Sequence, residues 1–118
     1  MKEVYHVVKD RYSLTAFKQN TTRGLIAYLD TYTGVLRPIG IFGEHIGDSV
    51  VVFHSGGVFD IPFELFSKMP QFKDPQSHEL LFTDEDGRWT TDDSFNAIVV
   101  GTAVRINEDG TIRINLEV

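Results

Sequence analysis

The sequence predicts a mostly β fold: a small β-barrel, β-tulip-like or sandwich domain with at most one short helix and an N-terminal arm or edge strand. Three observations lead there. Ile112, Ile114 and Leu116 alternate with Arg113, Asn115 and Glu117, the two-residue period of a strand with one buried face. Short apolar or β-branched runs recur between turn residues along the chain, at a spacing that suits a barrel or sandwich. Helical spacing shows in one place only, over Phe63 to Met69.

In chain order, residues 1–22 are the least regular. Val4, His6 and Val8 alternate with Tyr5, Val7 and Lys9, but Leu14, Ala16 and Phe17 then fade into polar sequence without Gly or Pro. This segment is an edge strand or an arm. As an arm it could be removed up to Asn20 without loss of the domain's cooperative unfolding. Residues 23–118 form a single β domain. Its strands are Leu25 to Leu29, Val35 to Phe42, Ser49 to His54 and Val58 to Pro62, separated by Thr33-Gly34, Gly43 to Asp48 and Ser55-Gly56-Gly57.

Pro62 suits the start of a helix, and Phe63, Phe66 and Met69 follow at i, i+3 and i+6, which predicts one or two helical turns. Pro70 and Pro75 bracket a polar loop, Gln71 to His78. Glu79 to Thr83 and Arg88 to Thr91 form a hairpin across Asp84-Glu85-Asp86-Gly87. Ile98 to Ile106 pairs with the C-terminal strand across Asn107-Glu108-Asp109-Gly110, whose Asp-Gly end supplies the positive φ that hairpin turns use.

Length and composition bound the function. A chain of 118 residues has room for one hydrophobic core and buries roughly two-thirds of its unfolded surface. The absence of cysteine removes disulfides, thiolate metal sites and thiol catalysis together. No apolar run is long enough to span a bilayer, and Met1-Lys2-Glu3-Val4 does not open a signal peptide, so a product of the cytoplasm with no membrane partner is expected. Seventeen acidic against eleven basic residues, a formal charge of −6, argue against nucleic acid as a partner.

Candidate chemistry is sparse. His54-Ser55-Gly56-Gly57 lacks the Gly-x-Ser-x-Gly pattern of a nucleophile turn and reads as a tight connection between strands. Glu44, His45, Asp48, His54 and Asp60 could in principle supply metal ligands, or Glu44, His45, His54 and Asp60 an enzyme site, but their spacing fits no standard ligand motif. Asp84 to Gly87 and Asp92-Asp93 are acidic enough to suggest calcium, yet lack the ligand spacing of a calcium loop. Gly40, Gly43 and Gly47 are too dispersed to cradle phosphate. No catalytic residue, cofactor or metal is expected.

Aromatic residues are abundant instead: nine Phe, four Tyr and one Trp, with Phe59, Phe63, Phe66 and Phe72 close together. Interfaces are enriched in aromatic side chains. The candidate partner-binding residues are therefore Tyr5, Val7, Tyr12, Leu14 and Phe17 in the N-terminal segment, with Phe63, Phe66 and Phe72.

The order of these pieces carries a resemblance. Gly40 to Val52 followed by Gly57-Val58-Phe59-Asp60-Ile61-Pro62, then Glu79 to Asp84 with Trp89-Thr90-Thr91, then Ile98 to Val104 with Gly110 to Leu116, resembles the small phage head-decoration proteins of the lambda type. The match covers about Gly24 to Leu116. Fourteen aromatic residues and the extra Phe63 to His78 segment depart from that family, which tends to be rich in Ala and Gly. The resemblance implies a structural virion protein, grouped as a homotrimer, that binds the major capsid protein on the outside of the shell, with the N-terminal segment as its contacting arm. The rival reading from a different class is a small β-barrel module that sequesters or inhibits a host protein.

Overall fold

The structure, a computed structural model, describes residues 1–5, 8–72 and 78–118. Among the described residues ten strands follow in order: β1 Lys2–Tyr5, β2 Val8–Ser13, β3 Ile26–Asp30, β4 Leu36–Ile46, β5 Ser49–His54, β6 Val58–Ile61, β7 Glu79–Thr83, β8 Trp89–Thr90, β9 Gly101–Ile106 and β10 Ile112–Leu116. They form a six-stranded sheet, β1-β6-β10-β9-β7-β8, and a four-stranded sheet, β2-β5-β4-β3. Every strand pairing is antiparallel. The protein is thus mostly β and sandwich-like; its two sheets keep separate edges and do not close into a barrel. No helix among the described residues is long and apolar enough to cross a membrane.

The side-chain period sets the layers. In β10, Ile112, Ile114 and Leu116 are buried while Arg113 and Asn115 are half-buried, so one face of that strand meets the core. In β5 the run Val50 to Phe53 is buried on both faces. Val51 and Phe53 point into the space between the sheets, with Ile26 and Ile41, against Phe59, Ile61, Leu81, Trp89, Ile112 and Ile114. Val50 and Val52 join a second cluster, with Phe17, Leu25, Ala27 and Phe42, covered by half-buried Tyr12, Leu14, Leu29 and Leu65. The four-stranded sheet is therefore the middle layer, roofed on its outer face by residues 14–25.

The hairpins form where the Asp-Gly turns place them. Asp84 N–H donates to Arg88 O at 3.0 Å and Asn107 N–H to Thr111 O at 2.8 Å. Gly87 and Gly110 have φ of +80° and +88°, in the left-handed region that glycine enters without a Cβ clash. Trp89 lies fully buried between the sheets, and its indole N–H donates to Gly24 O at 2.8 Å. That bond satisfies the one polar group on the largest core side chain.

The expected helix at 63–69 is a single 3-10 turn, Phe63–Leu65. Tertiary contacts stop it: Phe66 turns extended, bridges Trp89, and stacks on that ring at 6.1 Å, while Ser67 N–H donates to Trp89 O at 2.8 Å. Phe66 is core, not interface. The N-terminal segment also differs from a free arm. β1 pairs with β6 and β2 with β5, and Phe17 packs edge-to-face on Phe42 with centroids 4.9 Å apart.

A candidate docking edge

The eight candidate partner-binding residues do not form one surface. Tyr5, at the end of β1, is 59% exposed, and Phe63, in the 3-10 turn, is 53% exposed. They sit at opposite ends of β6: Tyr5 pairs with Val58, while Phe63 lies beside the Gly110 turn, whose strand brings Ile112 opposite Ile61. Tyr12 and Leu14 are half-buried over the outer core cluster, and Phe72 is half-buried against the central one. Phe17 is 8% exposed and, with Phe66, is withdrawn into the core. Val7 lies outside the described residues.

What the structure does bring together is an edge. β1 and β2 terminate the two sheets on the same side, and their side chains are exposed except at Tyr12. The pairing of β2 on β5 runs without a bulge from Val8 opposite His54 to Ser13 opposite Ser49, and Leu14 N–H continues it by donating to Asp48 O at 2.9 Å. In an antiparallel ladder bonded and unbonded positions alternate. Val8, Asp10 and Tyr12 therefore aim their backbone groups at β5, and Lys9, Arg11 and Ser13 aim theirs outward. Among the described residues nothing pairs with that outward side.

The strand at the far end of the same sheet is treated differently. Gln19 lays its amide along β3, donating from Nε2 to Ile26 O and accepting from Tyr28 N–H, both at 2.7 Å, and Ile26 N–H donates to Gly87 O at 2.8 Å. A side chain and a turn there replace a neighbouring strand.

β2 is pinned from behind by His54. Its Nδ1–H donates to Ile39 O at 2.7 Å, which leaves Nε2 to accept the Tyr12 hydroxyl at 3.1 Å, with Asp10 Oδ2 3.4 Å away. Burial, and after it the Asp10 charge, push the Tyr12 phenol above its ordinary pKa, so it stays a donor. Beside the strand, Lys9, Asp10, Arg11, Glu44, Ile46 and Val51 line an open cleft of about 440 Å³.

The proposed metal or enzyme residues are spread across the molecule. His45 is held by Thr21 O at 2.8 Å, His54 by the contacts above, and Asp60 lies on the six-stranded sheet. Among the described residues no three His, Asp or Glu side chains converge as a metal site. Asp60, 6% exposed, accepts from Arg113 Nε at 2.9 Å, from Arg113 Nη2 at 3.1 Å and from Asn107 Nδ2 at 2.9 Å. These bonds, Arg113's foremost, hold its carboxyl below the usual carboxylate range against the opposing effect of burial. The sequence signals this pair, since Asp60 is the one polar residue of β6 and Arg113 alternates with the buried Ile112 and Ile114 of β10. It gives no such signal for Gln19, whose partners are backbone groups of a strand seven to nine residues on.

No protein-family model, curated protein or solved structure matches this chain.

Proposed function

We propose that the chain is a structural protein of a phage particle, binding the outer surface of the head shell as a decoration or cement protein, with the major capsid protein as its partner. One observation supports a protein-contact role most directly. The β2 edge presents outward backbone groups at Lys9, Arg11 and Ser13, next to exposed Val4, Tyr5 and Val8. Unpaired strand edges with apolar side chains beside them are surfaces that other proteins bind. The assignment of that partner to a phage shell rests on the order of motifs from Gly24 to Leu116. In the trimeric form that this reading includes, three weak contacts act together, because the second and third form at high effective concentration.

The test is composition. Particles purified from the source phage, digested and quantified by mass spectrometry, should contain the chain in numbers comparable to the shell subunit. Its absence from the particles rejects the reading, and recovery in a stoichiometric complex with a host protein replaces it with sequestration.

A further inference from the structure

The two sides of the sandwich differ in charge. On the β1–β2 side project Lys2, Lys9 and Arg11. Glu3 beside them faces Arg23 at 3.4 Å, while Asp10, next to the accepting Nε2 of His54, and Glu44, in the cleft of Lys9 and Arg11, offset part of that positive charge. On the opposite side, β3 runs along the β7–β8 turn, with Tyr28 donating its hydroxyl to Glu85 O at 2.6 Å and packing on Phe95. Residues 84–93 hold Asp84, Glu85, Asp86, Asp92 and Asp93 against Arg88 alone, and Asp30 closes β3 with Lys18 3.9 Å away. Burial raises the Tyr28 pKa first, and the Asp86, Asp84, Asp30 and Glu85 charges add to it. Both sides also expose apolar side chains: Val4, Tyr5 and Val8 on one, Tyr32, Val35 and Phe95 on the other.

We infer that copies of this chain associate head to tail, the Lys2, Lys9 and Arg11 edge of one against the β3 and β7–β8-turn edge of the next. The inference rests on the reading of the β2 edge as a protein-contact surface and needs no shell. Like-to-like pairing is disfavoured on both sides. Joining β2 to β2 of a second copy through the outward-facing residues places Lys9 on Arg11 with Asp10 on Asp10, or Arg11 on Arg11, in the two registers of greatest overlap. The acidic sides repel each other. Because Gln19 and Gly87 already occupy the backbone of β3, side chains make the contact and the sheet does not continue across it. A head-to-tail contact is heterologous, so it closes into a ring or grows into a filament.

Charge exchange tests this. Sedimentation velocity of the full chain at about 0.15 M salt, where screening acts beyond roughly 8 Å and facing charges still attract, should show association that weakens at about 1 M. Lys9→Glu/Arg11→Glu and Glu85→Lys/Asp86→Lys, each alone, should associate at least about tenfold more weakly, because each sets like charge against like. Glu85 and Asp86 serve because Asp84 is committed to its own turn, accepting from Asp86 N–H and Arg88 N–H. A mixture of the two variants should recover association, since each offers the edge that the other lacks. Circular dichroism on both variants confirms folding. A wild-type monomer at every concentration, or variants that associate as well alone as mixed, overturns the inference. A monomer that is nonetheless found on particles overturns it while leaving the proposed function standing, and an associating chain absent from particles does the reverse.

Discussion

Replacing Phe17 with Ala decides whether the N-terminal segment is an arm or a structural layer. Phe17 is 8% exposed, packs edge-to-face on Phe42 at 4.9 Å and on Tyr12 at 5.7 Å, and roofs Val50 and Val52. Truncating a core Phe to Ala costs roughly 3–5 kcal/mol, and the lower end applies where the covering chain can settle into the gap. About 3 kcal/mol is a large share of the roughly 5–15 kcal/mol that holds a domain folded. At this chain length it lowers Tm by about 12 °C, taking about 4 °C per kcal/mol. Thermal unfolding followed by circular dichroism measures it, with Tyr5→Ala as the internal control. Tyr5 is 59% exposed, and its loss should stay within about 0.5 kcal/mol, or about 2 °C. By the same reasoning, deleting residues 1–20 removes Tyr12, Leu14, Phe17 and Gln19 together and abolishes cooperative unfolding, contrary to the expectation for a free arm. A Phe17→Ala protein that melts within about 2 °C of wild type refutes the roof.

Three further outcomes follow from the same geometry. Asp60→Asn should destabilise by about 2 kcal/mol, between an exposed ion pair and a fully buried one, because Arg113 loses its bidentate acceptor. Since the folded-state pKa of Asp60 is depressed, its contribution is complete above the unfolded value near ~3.9 and disappears as pH falls through the folded value; urea titrations should show a shallower acid limb in the variant. Gln19→Ala leaves Ile26 O and Tyr28 N–H without their side-chain partner and should lower the urea midpoint by the equivalent of about 1–3 kcal/mol; an unchanged midpoint argues that water replaces the amide. Lys9→Val/Arg11→Val should leave Tm within about 2 °C of wild type yet accelerate aggregation in light scattering, because it strips the charges from an open strand edge; slow aggregation matching wild type counts against an open edge.

The sequence disclosed what is local. The β9–β10 and β7–β8 hairpins need only alternation and an Asp-Gly turn, both contained within a few residues, and Glu79–Thr83 and Ile112–Leu116 occupy the predicted ranges. Elements governed by distant partners were opaque. Phe63, Phe66 and Met69 have helical spacing, but Trp89 draws Phe66 into extended backbone. Phe17 precedes a polar run that resembles the start of a tail, and only Phe42, Val50 and Val52 make it core. Among the candidate partner-binding residues, Tyr5 and Phe63 are exposed as the sequence suggests, whereas the opening at β2 emerges only when strand order and register are known.

Edges explain why a chain this small exposes what it does. An antiparallel sandwich has a strand at each end of each sheet, and every uncovered one offers unpaired backbone to any passing chain. Here β3 is sealed by Gln19 and Gly87, and β8, two residues long, is flanked by Phe66 and Ser67. β2 carries Lys9, Asp10 and Arg11 in place of a cover. Charge on an edge is a weaker barrier than a cover, because it deters copies of itself and apolar strands while admitting a surface of opposite sign. The Asp84 to Asp93 side of the molecule is such a surface, so in the proposed head-to-tail association the asymmetry between a sealed acidic edge and an unsealed edge bearing Lys9 and Arg11 would give the contact its direction.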